Sequence, residues 1–290
     1  MNPYPPAPSC YRHPDRATGL ACTRCGRPAC PECLRSASVG QHCVDCVAQG
    51  QKDVRQVRTV GGAQLARNPV PFVTYGLIAI NVIVFGITAF QAQSVSQNRF
   101  SELFTDWVLF PAYVADGQWF RVIGSGFLHY GVLHLLVNML ALYILGPYCE
   151  TALGRGRFLA VYLTSLIGGS AAALALGPEN AATAGASGAI YGLFGAVAII
   201  MLRTRQNLTQ IAVLLAINLF ISVSVPGISL WGHLGGLAAG TAATAGILYL
   251  PRWLRAGSQS TASAIGWGAV GVVAFAALAV AAVATAMVTS

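Results

Sequence analysis

From residue 206 to residue 251 the chain carries no Asp, Glu, Lys or Arg. A soluble domain is about one quarter charged and has little use for so long an uncharged run. A bilayer demands one, because each spanning helix needs about 20 apolar residues. The deficit extends well beyond this run. From Val122 to Ser290 the formal charges are Glu150, Arg155, Arg157, Glu179, Arg203, Arg205, Arg252 and Arg255. Across all 290 residues 55% are hydrophobic and 9% charged. Seven segments read as spans: 71–90, 131–148, 158–176, 187–202, 208–225, 230–250 and 264–288. The uncharged run must be cut once, and 222–227, with Pro226 and Gly227, is the natural turn. The expected fold class is therefore an all-α polytopic membrane protein. The first 70 residues differ, being polar, basic and rich in cysteine. They carry prolines and no short apolar core, so no cleavable signal peptide is expected.

The net charge of +8 would suit nucleic acid, but the plainer reading is the positive-inside bias of membrane proteins. Arg155 with Arg157, Arg203 with Arg205, and Arg252 with Arg255 follow the second, fourth and sixth spans. Lys52, Arg55, Arg58 and Arg67 precede the first. All four groups fall on one side, expected to be the cytoplasm; the other loops hold Arg99 and Arg121. The N-terminus is then cytoplasmic and the C-terminus extracytoplasmic, in a multi-pass protein expected in a bacterial cell membrane. The loop over 91–121, with Phe100, Leu103, Phe104, Trp107, Val108, Leu109 and Phe110, is too apolar for a solvated linker and is expected to lie partly in the membrane interface.

Polar side chains within a bilayer are costly and usually functional. Here they are His129, His134 and Asn138 at the second span, Ser187 opening the fourth, and His233 near the start of the sixth. Spans of even number run in the same direction, so His134, Ser187 and His233 share one depth near the outer face. His134 and Asn138 are four residues apart and share a helix face, as do Ser187 and Tyr191. Gly188/Gly192 and Gly236/Gly240 have the small-xxx-small spacing that lets helices approach closely, which would bring Ser187 to His233. A serine hydroxyl needs an adjacent base to be nucleophilic. Neutral His233 could take its proton and return it to a leaving amine. Free N–H groups at the helix start, with His134 and Asn138, suit a developing oxyanion. No acid stands as a third member, so the pair would be a dyad. Taken singly, each residue has a plainer reading as interhelical glue or helix packing. Their common depth and complementary chemistry favour catalysis.

These residues also resemble a known family. Gly185-Ala186-Ser187-Gly188, with Tyr191 following, resembles the GxSG motif of rhomboid intramembrane proteases. His129, His134 and Asn138 resemble the signature of its second helix, and Gly232-His233-Leu234-Gly235-Gly236 with Gly240 its catalytic-histidine helix. Trp119-Phe120-Arg121 is similar to the Trp-Arg element of its first loop, with Phe120 in place of tryptophan, and Glu150 with Gly154 resembles the element after the second span. The resemblance covers about residues 70–250. It implies a six-helix core with a water-filled cavity open to the outer face, to which the seventh span is an addition expected to serve packing. It implies Ser187 as nucleophile, His233 as base, and His134, Asn138 and the Ser187 N–H as oxyanion donors. Tyr191 would pack on His233, while Arg121 and Glu150 would brace loops. The substrates implied are transmembrane proteins whose helices unwind easily and present a small residue at the cut.

The head holds four pairs at two-residue spacing: Cys10/His13, Cys22/Cys25, Cys30/Cys33 and Cys43/Cys46. Eight such ligands satisfy two tetrahedral zinc ions, and a segment this short could barely bury a core without metal. A disulfide framework is disfavoured in a reducing compartment. His42 could replace Cys43, although the regular spacing favours Cys43. The order resembles B-box zinc domains, which implies interleaving, with the first and third pairs on one ion and the second and fourth on the other. Arg12, Arg16, Arg24, Arg27 and Arg35 would permit nucleic-acid binding, yet no aromatic interleaving or recognition helix supports it. A cytoplasmic protein partner is the better expectation. The organisation is thus a zinc-binding domain over 1–50, a basic linker over 51–70 that could touch anionic lipid, a membrane domain over 71–250, and a loop with the seventh helix over 251–290.

Two competing functions stand beside proteolysis. A histidine-lined transporter would be expected to place Asp or Glu within its spans, and none lies mid-membrane. A non-catalytic scaffold would have no need of an intact Ser187/His233 pair.

Overall fold

The computed structural model describes residues 6–53, 58–63 and 70–288. The chain forms two compact units, Met1–Val57 and Arg58–Ser290. Arg55 and Arg67 of the basic linker lie outside the described residues.

The first unit has little regular structure. A 3₁₀ turn at Pro31–Cys33 leads into an antiparallel hairpin of β1 (Leu34–Ser36) and β2 (Gln41–Cys43), followed by α1 (Val44–Asp53). Leu34 pairs with Cys43, Arg35 with His42 and Ser36 with Gln41. The interior consists of Cys10, Cys22, Cys30, Cys33, Cys43 and Cys46 with Ala29 and Leu34. A core made largely of thiols buries too little apolar surface to hold itself together.

The second unit is helical. α2 (Phe72–Gln91) is followed by a loop that folds into α3 (Glu102–Trp107), α4 (Pro111–Ala115) and α5 (Arg121–Gly124). Then come α6 (Val132–Leu153), α7 (Arg155–Leu176), α8 (Ser187–Thr204), α9 (Thr209–Ser224), α10 (Leu230–Trp253) and α11 (Gln259–Val288). Among the described residues, six helices are long and apolar enough to cross a membrane: α2, α6, α7, α8, α10 and α11. The fifth expected span, 208–225, is shorter than the others. α9 has 16 residues, about 24 Å at 1.5 Å per residue, against a hydrocarbon core of about 30 Å. The turn that separates it from α10 also lies later than expected. Ser222 is inside the helix, and the chain leaves it at Val225, which is extended (φ −101°, ψ 115°). The cause is Pro226, since the residue before a proline is driven out of the helical region. Ser222 is no helix breaker, because its hydroxyl bonds the Asn218 carbonyl four residues back at 2.7 Å.

α7 and α8 are the most buried spans, and α2 and α11 the least. Ala186, Ala189, Leu193 and Ala196 of the α8 region are fully buried. α10 packs on α8 through glycine. A Cβ on Gly236 would overlap the Gly188 carbonyl, and one on Gly240 would overlap the backbone of Gly192. The two small-xxx-small pairs therefore meet each other, backbone on backbone. α11 packs against α7 and α10. Outward residues such as Phe72, Ile83, Leu133, Leu140, Phe220 and Phe275 are exposed, the surface a lipid bilayer would cover.

Two buried charges hold loops and helix ends. Glu150, 4% exposed, accepts the N–H groups of Val73 (3.1 Å) and Thr74 (2.8 Å) and the Thr74 hydroxyl (2.8 Å). It thus caps α2, whose own N-cap is Pro71 with no side chain to offer; a carboxylate there also meets the positive end of the helix. Arg121 donates to Gln118 Oε1 (2.8 Å) and to the carbonyls of Thr105 (2.8 Å) and Val108 (3.0 Å). This closes the loop after α2, which buries Phe104, Val108, Leu109 and Val114 while exposing Phe100, Trp107, Trp119 and Phe120.

Candidate active site and metal centres

Ser187 is the first residue of α8, and His233 lies in the first turn of α10. His233 Nε2 stands 2.8 Å from Ser187 Oγ. This pairing needs both helices at glycine-contact distance. It also needs a fixed approach to Ser187, and the preceding loop is pinned three times. Tyr130 donates its hydroxyl to the Ala182 carbonyl (2.8 Å). Leu109 and Thr183 exchange backbone bonds (3.1 and 2.9 Å), and Gly185 N–H reaches the Ser125 carbonyl (2.9 Å). Gly185 has φ +131°, and a Cβ there would lie 2.7 Å from Cε1 and 2.9 Å from Nε2 of His134. Only glycine fits both the backbone angle and the gap. The His134 ring therefore lies directly beside the turn into Ser187.

The tautomer of His134 follows from its neighbours. Tyr130 N–H donates to His134 Nδ1 (3.3 Å), so Nδ1 is an acceptor and the ring hydrogen is on Nε2, which with Cε1 faces Gly185. Asn138 donates from Nδ2 to the His134 carbonyl (2.8 Å), which leaves its second amide hydrogen free for another acceptor. Tyr191 stacks on His233, with ring centroids 4.0 Å apart and planes 11° from parallel. Ser187, His233, His134, Asn138, Gly185 and Tyr191 all line one cavity of about 1030 Å³. Among the described residues, the lining contains no Asp or Glu. His129 is separate from it. It is fully buried behind His134, with ring centroids 5.0 Å apart, and neither of its ring nitrogens has a hydrogen-bond partner among the described residues.

Ser222 joins the site only in three dimensions. Its hydroxyl is 2.7 Å from His233 Nδ1 and 2.7 Å from the Tyr191 hydroxyl. No local motif marks it. The available signal was its place as a serine flanked by Ile and Val in an uncharged helix.

In the first unit the ligand atoms of Cys10, His13, Cys30 and Cys33 lie within 4.8 Å of one another, and those of Cys22, Cys25, Cys43 and Cys46 form a second such group. The pairs interleave, first with third and second with fourth. Tetrahedral zinc with Zn–S bonds of about 2.3 Å sets sulfurs about 3.8 Å apart. Cys25 and Cys43 Sγ are 3.8 Å apart, and His13 Nδ1 is 3.3, 3.5 and 3.9 Å from Cys30, Cys33 and Cys10 Sγ. Both groups fit a metal ion of this kind. Cys43, buried at the end of β2, is a member of the second group, and His42 is not; His42 points to the opposite, more exposed face.

The surroundings split the thiols of each group: burial pushes Cys33 up to about 11 and Cys46 up to about 12, while others are held down. Burial acts to raise the Cys10 thiol, but backbone hydrogen bonds at Cys30, Arg12 and His13 outweigh it and bring it down to about 6. Cys22 behaves likewise, with backbone bonds at Cys43, Cys25 and Arg24 carrying it to about 6 against burial. Arg27 donates to Cys25 Sγ (3.4 Å) and Cys43 Sγ (3.6 Å), lies 4.4 Å over the Tyr11 ring and pairs with Asp45 at 3.1 Å. Arg16 pairs with Glu32 (2.7 Å), Arg24 bonds the Cys46 carbonyl, and Arg35 bonds the Glu32 carbonyl. Four of the five head arginines are thus used within the head.

Fold and site define a class: a multi-pass helical membrane protein with a serine–histidine pair at the helix ends lining one cavity. Comparison with known proteins specifies the family. Residues 116–250 match the rhomboid domain. The chain is 34% identical over 176 residues to "Putative rhomboid protease YdcA" of Bacillus subtilis, covering 59% of this chain and 85% of that protein. It is 34% identical over 194 residues to rhomboid protease GluP of the same organism, covering 64% of this chain and 36% of GluP. RHOMBOID-like protein 4 of Arabidopsis thaliana is 35% identical over 132 residues, covering 43% of this chain and 33% of that protein. The chain belongs to the rhomboid family. It spans about a third of the length of GluP and of RHOMBOID-like protein 4.

Proposed function

We propose that this chain is an intramembrane serine endopeptidase that cleaves peptide bonds in transmembrane segments near the extracytoplasmic face. The observation that carries the reading is the 2.8 Å contact between Ser187 Oγ and His233 Nε2 inside a cavity walled by membrane-spanning helices. His233 accepts the Ser187 proton as Oγ attacks the substrate carbonyl carbon. The carbonyl oxygen becomes an oxyanion facing the Ser187 N–H, which has no acceptor inside its helix, with the Nε2–H of His134 and the free amide hydrogen of Asn138 beside it. His233 then passes the proton to the leaving nitrogen as the C–N bond breaks. Water, activated by the same imidazole, hydrolyses the acyl-enzyme. A peptide bond inside an intact helix has its carbonyl bonded to an N–H four residues on, so substrates whose helices unwind readily are favoured. Tyr191 fixes the His233 ring by stacking, and His129 supports His134 from behind.

The absence of carboxylates from the cavity lining speaks against the transporter reading, since ion pathways place such groups in the membrane. We further propose that the two ligand groups of the head each hold zinc as structural ions, that the head binds a cytoplasmic protein, and that the N-terminus faces the cytoplasm of a bacterial cell. The deciding experiment treats the detergent-purified chain with a fluorophosphonate probe and a transmembrane reporter. Wild type should label at Ser187 and cleave; Ser187→Ala should do neither. Cleavage by Ser187→Ala at the wild-type rate would overturn the assignment.

A further inference from the structure

Ser222 is 4% exposed and has three polar neighbours, each at 2.7 Å: the Asn218 carbonyl, the Tyr191 hydroxyl and Nδ1 of His233. A hydroxyl has one hydrogen and two lone pairs. The carbonyl can only accept, so the Ser222 hydrogen goes to Asn218, the usual arrangement for a serine in an apolar helix. Its lone pairs then receive the Tyr191 O–H and the Nδ1–H of His233. With its hydrogen on Nδ1, His233 carries a lone pair on Nε2, facing Ser187 Oγ at 2.8 Å. The opposite tautomer would put a hydrogen on the nitrogen that has to accept one, and would force Ser222 to give up Asn218.

We propose that Ser222 is a positioning residue: it accepts the Nδ1–H of His233 and so holds the imidazole in the tautomer and orientation that let Nε2 take the Ser187 proton. This rests on the protease reading above. During acylation the Ser187 proton moves to Nε2 as the Oγ–carbon bond forms. The imidazolium keeps its Nδ1–H on Ser222, and Nε2 releases its proton to the leaving nitrogen. Ser222 neither gains nor loses a proton. It takes the place held by a carboxylate in a Ser-His-Asp triad, without the charge. α9 buries Ile211 and Ser222, so the seating of this short helix and the orientation of the base are linked through one oxygen.

The test compares wild type, Ser222→Ala and Ser222→Thr as purified full chains in detergent micelles, measuring kcat, KM, fluorophosphonate labelling rate and Tm. Acid–base catalysis supplies about 10²–10⁴-fold in rate, and a neutral orienting group should account for roughly 10- to 100-fold of it. Ser222→Ala should lose that much in kcat with KM within about twofold, and labelling should slow in step. Ser222→Thr keeps the hydroxyl and should recover most of the loss. If Ser222→Ala does not fold, Ser222→Cys replaces it with the same expectation, a thiol being a weak acceptor. Unchanged kcat and labelling in the Ala or Cys variant would overturn the proposal. So would a rise in KM alone, or a Thr variant as slow as Ala. A wild-type chain that neither labels nor cleaves would instead refute the protease reading, and the proposal with it.

Discussion

The two units of this chain reach a defined structure by opposite means. In the first, side chains at fixed short spacing converge on two points, and most buried residues are cysteines. In the second, the interior is largely apolar and glycine-rich, and the polar side chains of the site come from segments far apart in sequence. With zinc bound as proposed, the head would depend on that metal, because it has little apolar area to fold by. The membrane unit depends on how closely its helices approach, because a serine and a histidine 46 residues apart form a pair only if α8 and α10 touch.

The largest effect that would test this contrast is metal removal. Structural zinc sites contribute on the order of 10–16 kcal/mol, so chelation should unfold the head while leaving the α-helices of the membrane unit intact. Metal analysis of anaerobically purified chain should find about two zinc ions; limited proteolysis and circular dichroism should show cleavage confined to the head. Loss of membrane helicity on chelation would break the comparison. Acidification should act in the same direction. The Cys10 and Cys22 thiols lie below their ordinary value at about 6, so the thiolate form is favoured above that pH and lost as pH falls through it. Metal affinity, measured by competition with a chromophoric chelator, should fall throughout as pH falls, because protons compete with the metal for every ligand thiolate, Cys33 and Cys46 included.

Next in size is the dyad. Ser187→Ala and His233→Ala should each reduce reporter cleavage by about 10²–10⁴-fold or more, with membrane insertion and helicity unchanged. Smaller still is the glycine contact. Gly236→Ala places a methyl group against the Gly188 carbonyl; overpacking of this kind costs about 1–3 kcal/mol, and it should lower both Tm and cleavage. Loss of cleavage without a fall in Tm would show that the α8–α10 contact sets the dyad geometry and contributes little to stability. The smallest effect expected is from Glu150→Gln, which weakens the cap on α2 and should cost about 1 kcal/mol, read as a lower Tm with near-normal kcat.

Much of this was legible in one dimension. Charge depletion marked the helices, because a bilayer excludes charge whatever the fold. The head's ligands were legible because a two-residue spacer lets both members of a pair reach one metal. Gly188/Gly192 and Gly236/Gly240 announced a close contact, since small residues at four-residue spacing leave a flat helix face. Ser187, His233, His134 and Asn138 stood out because polar groups are rare in such segments. Ser222 did not stand out. A serine in an apolar helix usually satisfies itself on its own backbone, and by position Ser222 reads as the start of the turn at Pro226.

The sequence alone determined that there would be membrane helices, which residue types could carry chemistry, and which spacings could bind metal, because those follow from local solvation and local reach. Tertiary structure decided which glycine met which backbone, that Glu150 would cap a helix 76 residues away, that α9 would run on past Ser222, and that His233 would have an acceptor at Nδ1 as well as a serine at Nε2. These are distances between segments remote in the chain, and only packing brings such segments together.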